Sequence, residues 1–403
     1  MLENIVIVSD SGSINGGNAN VALTSAVELS KRGKAKLYLF CGTQPIEKSV
    51  EKSDIQVICI NQKDILRDSN RIRAIVNGVY NKTAKEEFEK LISGLNPKTT
   101  VVHFHSWSKV LSASLFSVTA KYRIPIVITM HDYFTFCPNG GLFIYPKKKI
   151  CDNKAMSLQC VFCNCDSRKY VYKIWRVCRQ IIQNRLIKKN KDIKFITISD
   201  LNNRLAEENL SKLGTTVRIN NPVNMNEAAP VISENNKKYV YIGRLSEEKG
   251  IDMFCQAITE LGYEGLVIGD GYMLSELKEK YPKIQFTGWI NKDAMREYLE
   301  NVRALVFPSI WYEGAPLTIT EMLSYGIPCI VSDACSGREM ICDGKNGYLF
   351  KSGNVEDLKC KIALLNENVN LKSGDIVNSF DRNKYTQHNH VNSLIGLYES
   401  MVR

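Results

Sequence analysis

Two cations and two carboxylates stand at spacings that suit a ligand carrying both phosphate and hydroxyl groups. Arg244 and Lys249 belong to Gly243-Arg244-Leu245-Ser246-Glu247-Glu248-Lys249-Gly250, which follows the apolar run Tyr239–Ile242 and opens a helix. Arg can grip phosphate oxygens bidentately, Lys adds a mobile point charge, and Gly243 lets backbone approach the anion. The carboxylates are Glu313 and Glu321, at the two ends of Glu313-Gly314-Ala315-Pro316-Leu317-Thr318-Ile319-Thr320-Glu321. Pro316 suits a first helical turn, where its missing N–H is not needed. The positive end of that helix, with backbone at Gly314, Ala315 and Leu317, then faces the ligand. Glu313, just before the helix, can accept sugar hydroxyls, and Glu321, one and a half turns in, can accept ribose hydroxyls. Each pair alone is equally a solvated helix surface. Together they suit a nucleotide-diphosphate sugar.

Weaker signals point the same way. Gly16-Gly17 follows the first strand and precedes a helix, the place for phosphate approach in a first βα turn, although the spacing is not G-x-G-x-x-G. Gly269, in Gly269-Asp270-Gly271, puts permissive backbone at another strand end. His131 and His105 each close a strand and could bond a sugar hydroxyl or assist proton traffic. The bland readings are tight turns and structural histidines. No Asp-x-Asp occurs, so no catalytic metal is expected and the cations must neutralise a leaving diphosphate.

The elements that position these residues alternate between short apolar runs and helical patterns, which predicts parallel sheets with crossover helices. Strands are expected at Asn4–Ser9, Lys36–Cys41, Ile55–Ile60, Thr100–His105, Ile126–Met130 and Phe195–Ile198, then at Lys238–Ile242, Gly265–Ile268, Ile284–Phe286, Ala304–Phe307 and Cys329–Val331. Helices are expected at Ala19–Lys31, Thr83–Leu91 and Lys109–Lys121, and near 249–261, 272–281, 292–301 and 316–325. The change-over at Arg218–Asn224, with its Asn-Pro turn, separates two doubly wound Rossmann-like α/β domains. The expected division is 1–222, 223–380 for the nucleotide-sugar donor, and a closing helix over 381–403.

Two stretches of the first half stand apart. Cys137, Cys151, Cys160, Cys163 and Cys165 fall in an insert of about 137–165. Four of them could form a zinc site, but reduced, packed thiols are favoured because only Cys160 and Cys163 have C-x2-C spacing. Residues 168–194 hold ten Lys/Arg and one acid, with apolar residues at helical spacing. That is either a helix lying on an anionic bilayer or a core helix with a basic outer face.

The chain of 403 residues carries a net charge of +11. Residues 1–222 hold 34 Lys+Arg against 18 Asp+Glu, whereas residues 223–403 hold 19 against 24. The basic excess therefore sits in the first half and favours an anionic partner or surface there. No aromatic-interleaved nucleic-acid module accompanies it, so no nucleic acid is expected. There is no long apolar run and no signal-peptide pattern at Met1–Val8, and the 13 cysteines suit a reducing compartment. A cytoplasmic protein, peripheral at most to a membrane, is expected.

The ordered set of glycine turn, His131-Asp132, G-R-x4-K-G, G-D-G and E-x7-E resembles the retaining glycosyltransferases of family 4, which have the GT-B fold. The resemblance spans about residues 1–360. It is strongest over 239–350, including Ser324-Tyr325-Gly326-Ile327-Pro328 and Asp343-Gly344-Lys345-Asn346-Gly347. It implies that Arg244 and Lys249 hold the donor diphosphate, Glu313 orients the donor sugar and Glu321 holds the ribose. It further implies that Gly16 and Gly17 face the phosphates, that His131 contacts the donor sugar, and that backbone near Trp289 and Ile290 meets the base. The resemblance also implies that no cofactor is required, that acceptors bind the N-terminal domain, and that transfer proceeds with retention by front-face attack. The expected acceptor is a glycan or polyprenyl-linked glycan of a surface polysaccharide. A nucleotide-sugar epimerase or phosphorylase on the same architecture, and a non-catalytic nucleotide-sugar-binding subunit, are the rival readings.

Overall fold

The computed structural model describes residues 1–223 and 229–402, the side chains of Lys292 and Asp293 excepted. Asn224 of the expected linker and Arg403 of the expected closing helix lie outside the described residues. The chain divides into two compact units. One is made of Met1–Gly141, Asn153–Pro222 and Gln387–Arg403, the other of Leu142–Asp152 and Val223–Thr386.

The strands in chain order are β1 (Asn4–Ser11), β2 (Lys36–Thr43), β3 (Ile55–Cys59), β4 (Thr100–Phe104), β5 (Ile126–Thr129), β6 (Phe143–Ile144), β7 (Lys149–Ile150), β8 (Ile193–Thr197) and β9 (Thr215–Arg218), followed by β10 (Lys238–Ile242), β11 (Glu264–Ile268), β12 (Gln285–Gly288), β13 (Val302–Phe307), β14 (Cys329–Ser332) and β15 (Gly347–Phe350). The first unit holds a parallel sheet ordered β3-β2-β1-β4-β5-β8-β9. The second holds a parallel sheet ordered β12-β11-β10-β13-β14-β15. The short pair β6–β7 is an antiparallel hairpin. Both large sheets are Rossmann-like, and in each the strand order reverses beside the first strand, between β1 and β4 and between β10 and β13. Loops at the carboxyl ends diverge at such reversals and leave room for a ligand.

Apolar runs cover the central strands because both faces of a parallel sheet are packed by helices. Val6, Ile7 and Val8 of β1 and Ala304, Leu305 and Val306 of β13 are fully buried. Each of the Val, Ile and Leu side chains contributes roughly 1.5–3 kcal/mol, and Ala304 less. The strands of the second unit place Tyr239, Tyr241, Val267, Ala304, Val306 and Ile330 in one apolar cluster and Val240, Leu266, Leu305, Cys329 and Val331 in another. Successive residues thus feed opposite faces of the sheet, as the pleat requires.

Several expected elements change extent. The helix expected over Lys109–Lys121 forms only over Leu115–Tyr122. Residues before it are held elsewhere. The buried carboxylate of Asp10 accepts the backbone N–H groups of Lys109 (2.9 Å), Val110 (2.9 Å) and Leu111 (3.0 Å), and Ser112 adopts a left-handed φ of 73°. The basic helix expected within 168–194 spans Tyr170–Ile187. Its inner face is built from Lys173, Val177, Arg179, Gln180, Gln183 and Ile187, so part of the expected charge is buried. The last helix spans Gln387–Met401 and belongs to the first unit. There Tyr398 Oη meets His103 Nδ1 of β4 at 2.6 Å, and His390 Nε2 meets Ser25 Oγ at 3.0 Å.

Candidate functional site

The second unit collects most of the expected donor residues at the reversal between β10 and β13. Gly243 follows β10, and the chain turns through Arg244–Ser246 into a short 3₁₀ turn, Glu247–Lys249, before the helix Ile251–Leu261. Two glycines make this path possible. Gly250 has φ +69°, and a Cβ there would lie 2.1 Å from the carbonyl oxygen of Pro308. A Cβ on Gly269, after β11, would lie 1.9 Å from the carbonyl oxygen of Gly243. No side chain fits either place, so the loops after β10, β11 and β13 interlock through bare backbone.

Lys249 and Glu313 form an ion pair, Nζ to Oε1. The same oxygen accepts Ser309 Oγ at 2.7 Å and Trp311 Nε1 at 2.6 Å. The Lys249 amine also lies 5.2 Å from the centre of the Trp311 ring. Burial alone would raise the Glu313 carboxyl. The Lys249 charge and the bonds from Lys249, Trp311 and Ser309 outweigh it and hold the group below its ordinary value. Both side chains are mostly buried, at 19% and 12% exposure, so the pair is little screened by solvent. All donors converge on Oε1, and Oε2 has no partner among the described residues. The structure therefore places Lys249 on Glu313, whereas the sequence suggested separate duties for the two.

Arg244 is the exposed cation of the group, with its side chain 61% exposed. Its Nη2 lies 3.1 Å from Glu248 Oε1, which also accepts Ser246 Oγ at 2.8 Å. The Tyr241 hydroxyl donates to the Arg244 carbonyl at 2.8 Å and fixes the turn from below. Glu248 was not expected from sequence to matter. Its signal was the Ser246-x-Glu248 spacing at a turn, which reads as ordinary capping.

Pro316 is the N-cap residue of the helix Leu317–Ser324, one place earlier than the first-turn position expected. Gly314 and Ala315 precede it, half-buried, and Glu321 lies in its second turn, also half-buried. The first N–H groups of such a helix have no intrahelical partner and favour an anion. Ile290, after β12, packs against an apolar cluster of this unit beside Trp289, which is 77% exposed. An exposed aromatic ring there offers a flat face to a base.

In the first unit, Gly16 is the N-cap residue of the helix Gly17–Arg32, and nothing lies within 4 Å of a Cβ built on Gly16 or Gly17. His131 follows β5, and its Nε2 lies 2.9 Å from His105 Nδ1. The two rings stack with centres 5.2 Å apart, and His105 lies tilted against His103, ring centres 4.1 Å apart. Burial, with a smaller effect from His390, lowers His131 to about 3. His103 and His105 are lowered well below their usual value, chiefly by burial. His131 is therefore a neutral ring, able to donate or accept a hydrogen bond but not to carry charge near neutral pH. Beside it, burial raises the Asp132 carboxyl to about 6.

The cysteines of the Cys-rich stretch are thiols and not disulfides. Among the described residues no three of His, Cys, Asp and Glu are grouped to hold a metal. Cys160 instead lies 3.6 Å from the amine of the buried Lys173.

Residues 224–378, which hold all of these donor-side groups except Gly16, Gly17 and His131, match the family model for glycosyl transferases group 1. Over 152 residues the chain is 32% identical to a lipopolysaccharide 1,6-galactosyltransferase of Salmonella typhimurium, covering 34% of this chain and 42% of that one. A cps-region protein of Klebsiella pneumoniae is 24% identical, with 60% of its length matched. The chain thus spans about half the length of these two relatives. A third relative, the UDP-Gal:alpha-D-GlcNAc-diphosphoundecaprenol alpha-1,3-galactosyltransferase of Escherichia coli, is 25% identical over 83% of this chain and 84% of its own. Among solved structures, the lipopolysaccharide outer core galactosyltransferase WaaB superposes with a TM-score of 0.60 at 18% identity, covering 97% of this chain and 99% of that one. Anabaena HepE with UDP and glucose gives 0.66 at 14% identity, covering 99% of this chain and 100% of that one. These likenesses show the fold, which is GT-B.

Proposed function

We propose that residues 224–378, which match glycosyl transferases group 1, form the donor side of an enzyme that moves a hexose-type sugar from a nucleotide diphosphate onto a glycan or polyprenyl-linked glycan, in the making of a surface polysaccharide. The observation that carries the proposal is the cluster of Lys249, Glu313, Ser309 and Trp311 at the reversal between β10 and β13, with Arg244 exposed on the same loop. A diphosphate draws Lys249 from Glu313 because it offers more charge than one carboxylate. Glu313 then keeps its bonds from Ser309 and Trp311 and turns to the sugar hydroxyls. The names of the relatives favour UDP as the nucleotide and galactose or glucose as the sugar.

In the reaction the bond from the anomeric carbon to the phosphate oxygen breaks. The bond to the acceptor oxygen forms on the same face, and the acceptor proton passes to the leaving diphosphate. Arg244, Lys249 and the helix start at Leu317 stabilise the departing charge. The neutral ring of His131 can bond the sugar without repelling the developing positive charge at the anomeric carbon. No resident metal or cofactor is required in this scheme.

The test is transfer from UDP-galactose and UDP-glucose to a GlcNAc-diphosphate acceptor with a lipid tail, with and without chelator. Product with a retained α anomer and undiminished rate in chelator is expected. Epimerised donor without acceptor consumption would instead make it an epimerase. Donor binding with no turnover on any acceptor would make it a binding subunit.

A further inference from the structure

In the first unit the helices Arg71–Val79 and Tyr170–Ile187 meet where Trp175 packs on Gly78 and Ile75. Gly78 allows the contact, since a Cβ there would meet the Trp175 ring at 2.6 Å. Trp175 Nε1 donates to the Ile75 carbonyl at 3.1 Å. Beside the contact lies a groove of about 360 Å³. Leu66, Ile72, Ile75, Val76, Val171 and Ile174 on these two helices and the preceding loop are each at least half exposed. A soluble surface seldom groups so many exposed aliphatic side chains without a partner.

The charge of the groove is of one sign. Arg71, Lys109, Arg168, Arg176 and Arg179 line it, and no lining residue is acidic. Asp166, behind the wall, pairs with Arg176 at 3.1 Å and approaches Arg168 at 3.8 Å. Arg179 is different. It is 94% removed from solvent (6% exposed), yet among the described residues it has no carboxylate within ion-pair distance. Its guanidinium is held between the Phe134 and Trp175 rings, 4.9 and 5.2 Å from their centres, and donates to the Ser108 carbonyl at 3.2 Å. A cation fixed in this way on an apolar floor is ready for an anion that brings its own hydrocarbon.

We propose that this groove binds a prenyl-type lipid diphosphate, with the chain against Ile75, Val171 and Trp175 and the diphosphate toward Arg71, Arg179 and Lys109. The single sign of charge favours a diphosphate over a neutral lipid. The inference rests on the proposed function in that it locates the lipid part of the acceptor.

The test is calorimetric titration of the full chain with farnesyl diphosphate, inorganic diphosphate and farnesol, in excess UDP to fill the donor side. Farnesyl diphosphate should bind about tenfold or more tighter than either comparator, and the exposed-site variants Ile75→Glu and Val171→Glu should lose about tenfold or more. Arg179→Gln should lose a similar amount, and the two exposed variants decide the matter if it fails to fold. Equal binding of inorganic diphosphate, equal binding of farnesol, no binding, or variants indistinguishable from wild type overturns the proposal. So does binding, sensitive to the same variants, to phosphatidylcholine vesicles only when they contain phosphatidylglycerol, with none to farnesyl diphosphate. UDP binding is measured first. Its absence sinks the donor reading and leaves the groove to be judged alone.

Discussion

Lys249 Nζ and Trp311 Nε1 both donate to one oxygen of Glu313, and the Lys249 amine stands 5.2 Å over the Trp311 ring. The amine is therefore bound by charge and by a π face at once, and the carboxylate keeps a bond when the amine leaves. This is what a group that must exchange partners with a substrate requires. It also shows why activity and stability need not respond alike to changes here.

If Lys249 faces the leaving diphosphate as proposed, Lys249→Ala should lower turnover by ~10²–10³-fold. It should also cost about 1–3 kcal/mol of stability by leaving a mostly buried carboxylate without its counter-charge. Adding Glu313→Gln should restore stability and not activity. Steady-state kinetics and urea unfolding of the single and double variants check both halves. The pH sign follows from the lowered Glu313 carboxyl. Its contribution is present above the ordinary carboxylate value of about 4.3 and is lost as pH falls through the lower folded value.

The buried histidines set a second acid limit, at higher pH. His131 is lowered to about 3 and His390 to about 4, chiefly by burial, and His103 and His105 shift the same way. Unfolded histidine takes a proton near 6.5, so their contribution is complete above that pH and is lost progressively as pH falls toward 4 and 3. Asp132, raised to about 6, and Asp10, also raised, work in the opposite sense and offset part of the loss. The melting temperature should therefore begin to fall below about pH 6.5. His390→Gln should flatten the pH slope of the unfolding free energy by at most about 1.4 kcal/mol per pH unit. A melting temperature constant between pH 7 and 5, where the histidines outnumber the opposing carboxyls, would contradict this account.

The central strands were legible because buried parallel strands are continuous apolar runs, and β1, β2, β10 and β13 each contain one. The edge strand β9, Thr-Thr-Val-Arg, was not, because it is half exposed and carries no such run. β15 begins at the glycine of an Asn-Gly pair that reads as a turn. The helix expected from Lys109 was shortened by Asp10, about a hundred residues earlier, whose carboxylate takes three of its N–H groups. At the candidate site the sequence picks out Arg244, Lys249, Glu313 and Glu321 by type and spacing, and the structure brings Lys249 to Glu313. That Ser309 and Trp311 would converge on Glu313 was not, because the path of the loop after β13 depends on its packing against Glu248. The backbone N–H of Ile310 donates to the Glu248 carbonyl at 3.0 Å. The single-signed groove was half legible. The basic stretch was visible, but its partner helix Arg71–Val79 was not among the expected elements.

Gly269 gives a test of the loop packing that bypasses catalysis. A Cβ there would sit 1.9 Å from the Gly243 carbonyl oxygen, at a φ of +145° that side chains rarely adopt. Gly269→Ala must push apart the loops after β10 and β11. It should cost about 2–3 kcal/mol in urea unfolding and weaken nucleotide-sugar binding as Arg244 moves with its loop. Gly16→Ala, where a Cβ meets nothing within 4 Å, is the matched control and should leave stability within about 0.5 kcal/mol.

The last helix tests how the first unit is closed. Tyr398 is fully buried and its hydroxyl lies 2.6 Å from His103 Nδ1, whose other ring nitrogen lies 2.7 Å from Thr129 Oγ1 of β5. The tail helix is thus tied through one imidazole to two adjacent strands. Tyr398→Phe keeps the ring packing and removes only the hydroxyl, leaving a buried ring nitrogen without its partner. It should cost about 1–3 kcal/mol. Adding His103→Leu removes the orphaned nitrogen as well, so the double variant should lose less than the sum of the two single losses. Strict additivity in urea unfolding would mean that the hydroxyl and the ring act independently, and that packing of Val391 and Leu394 alone holds the helix in place.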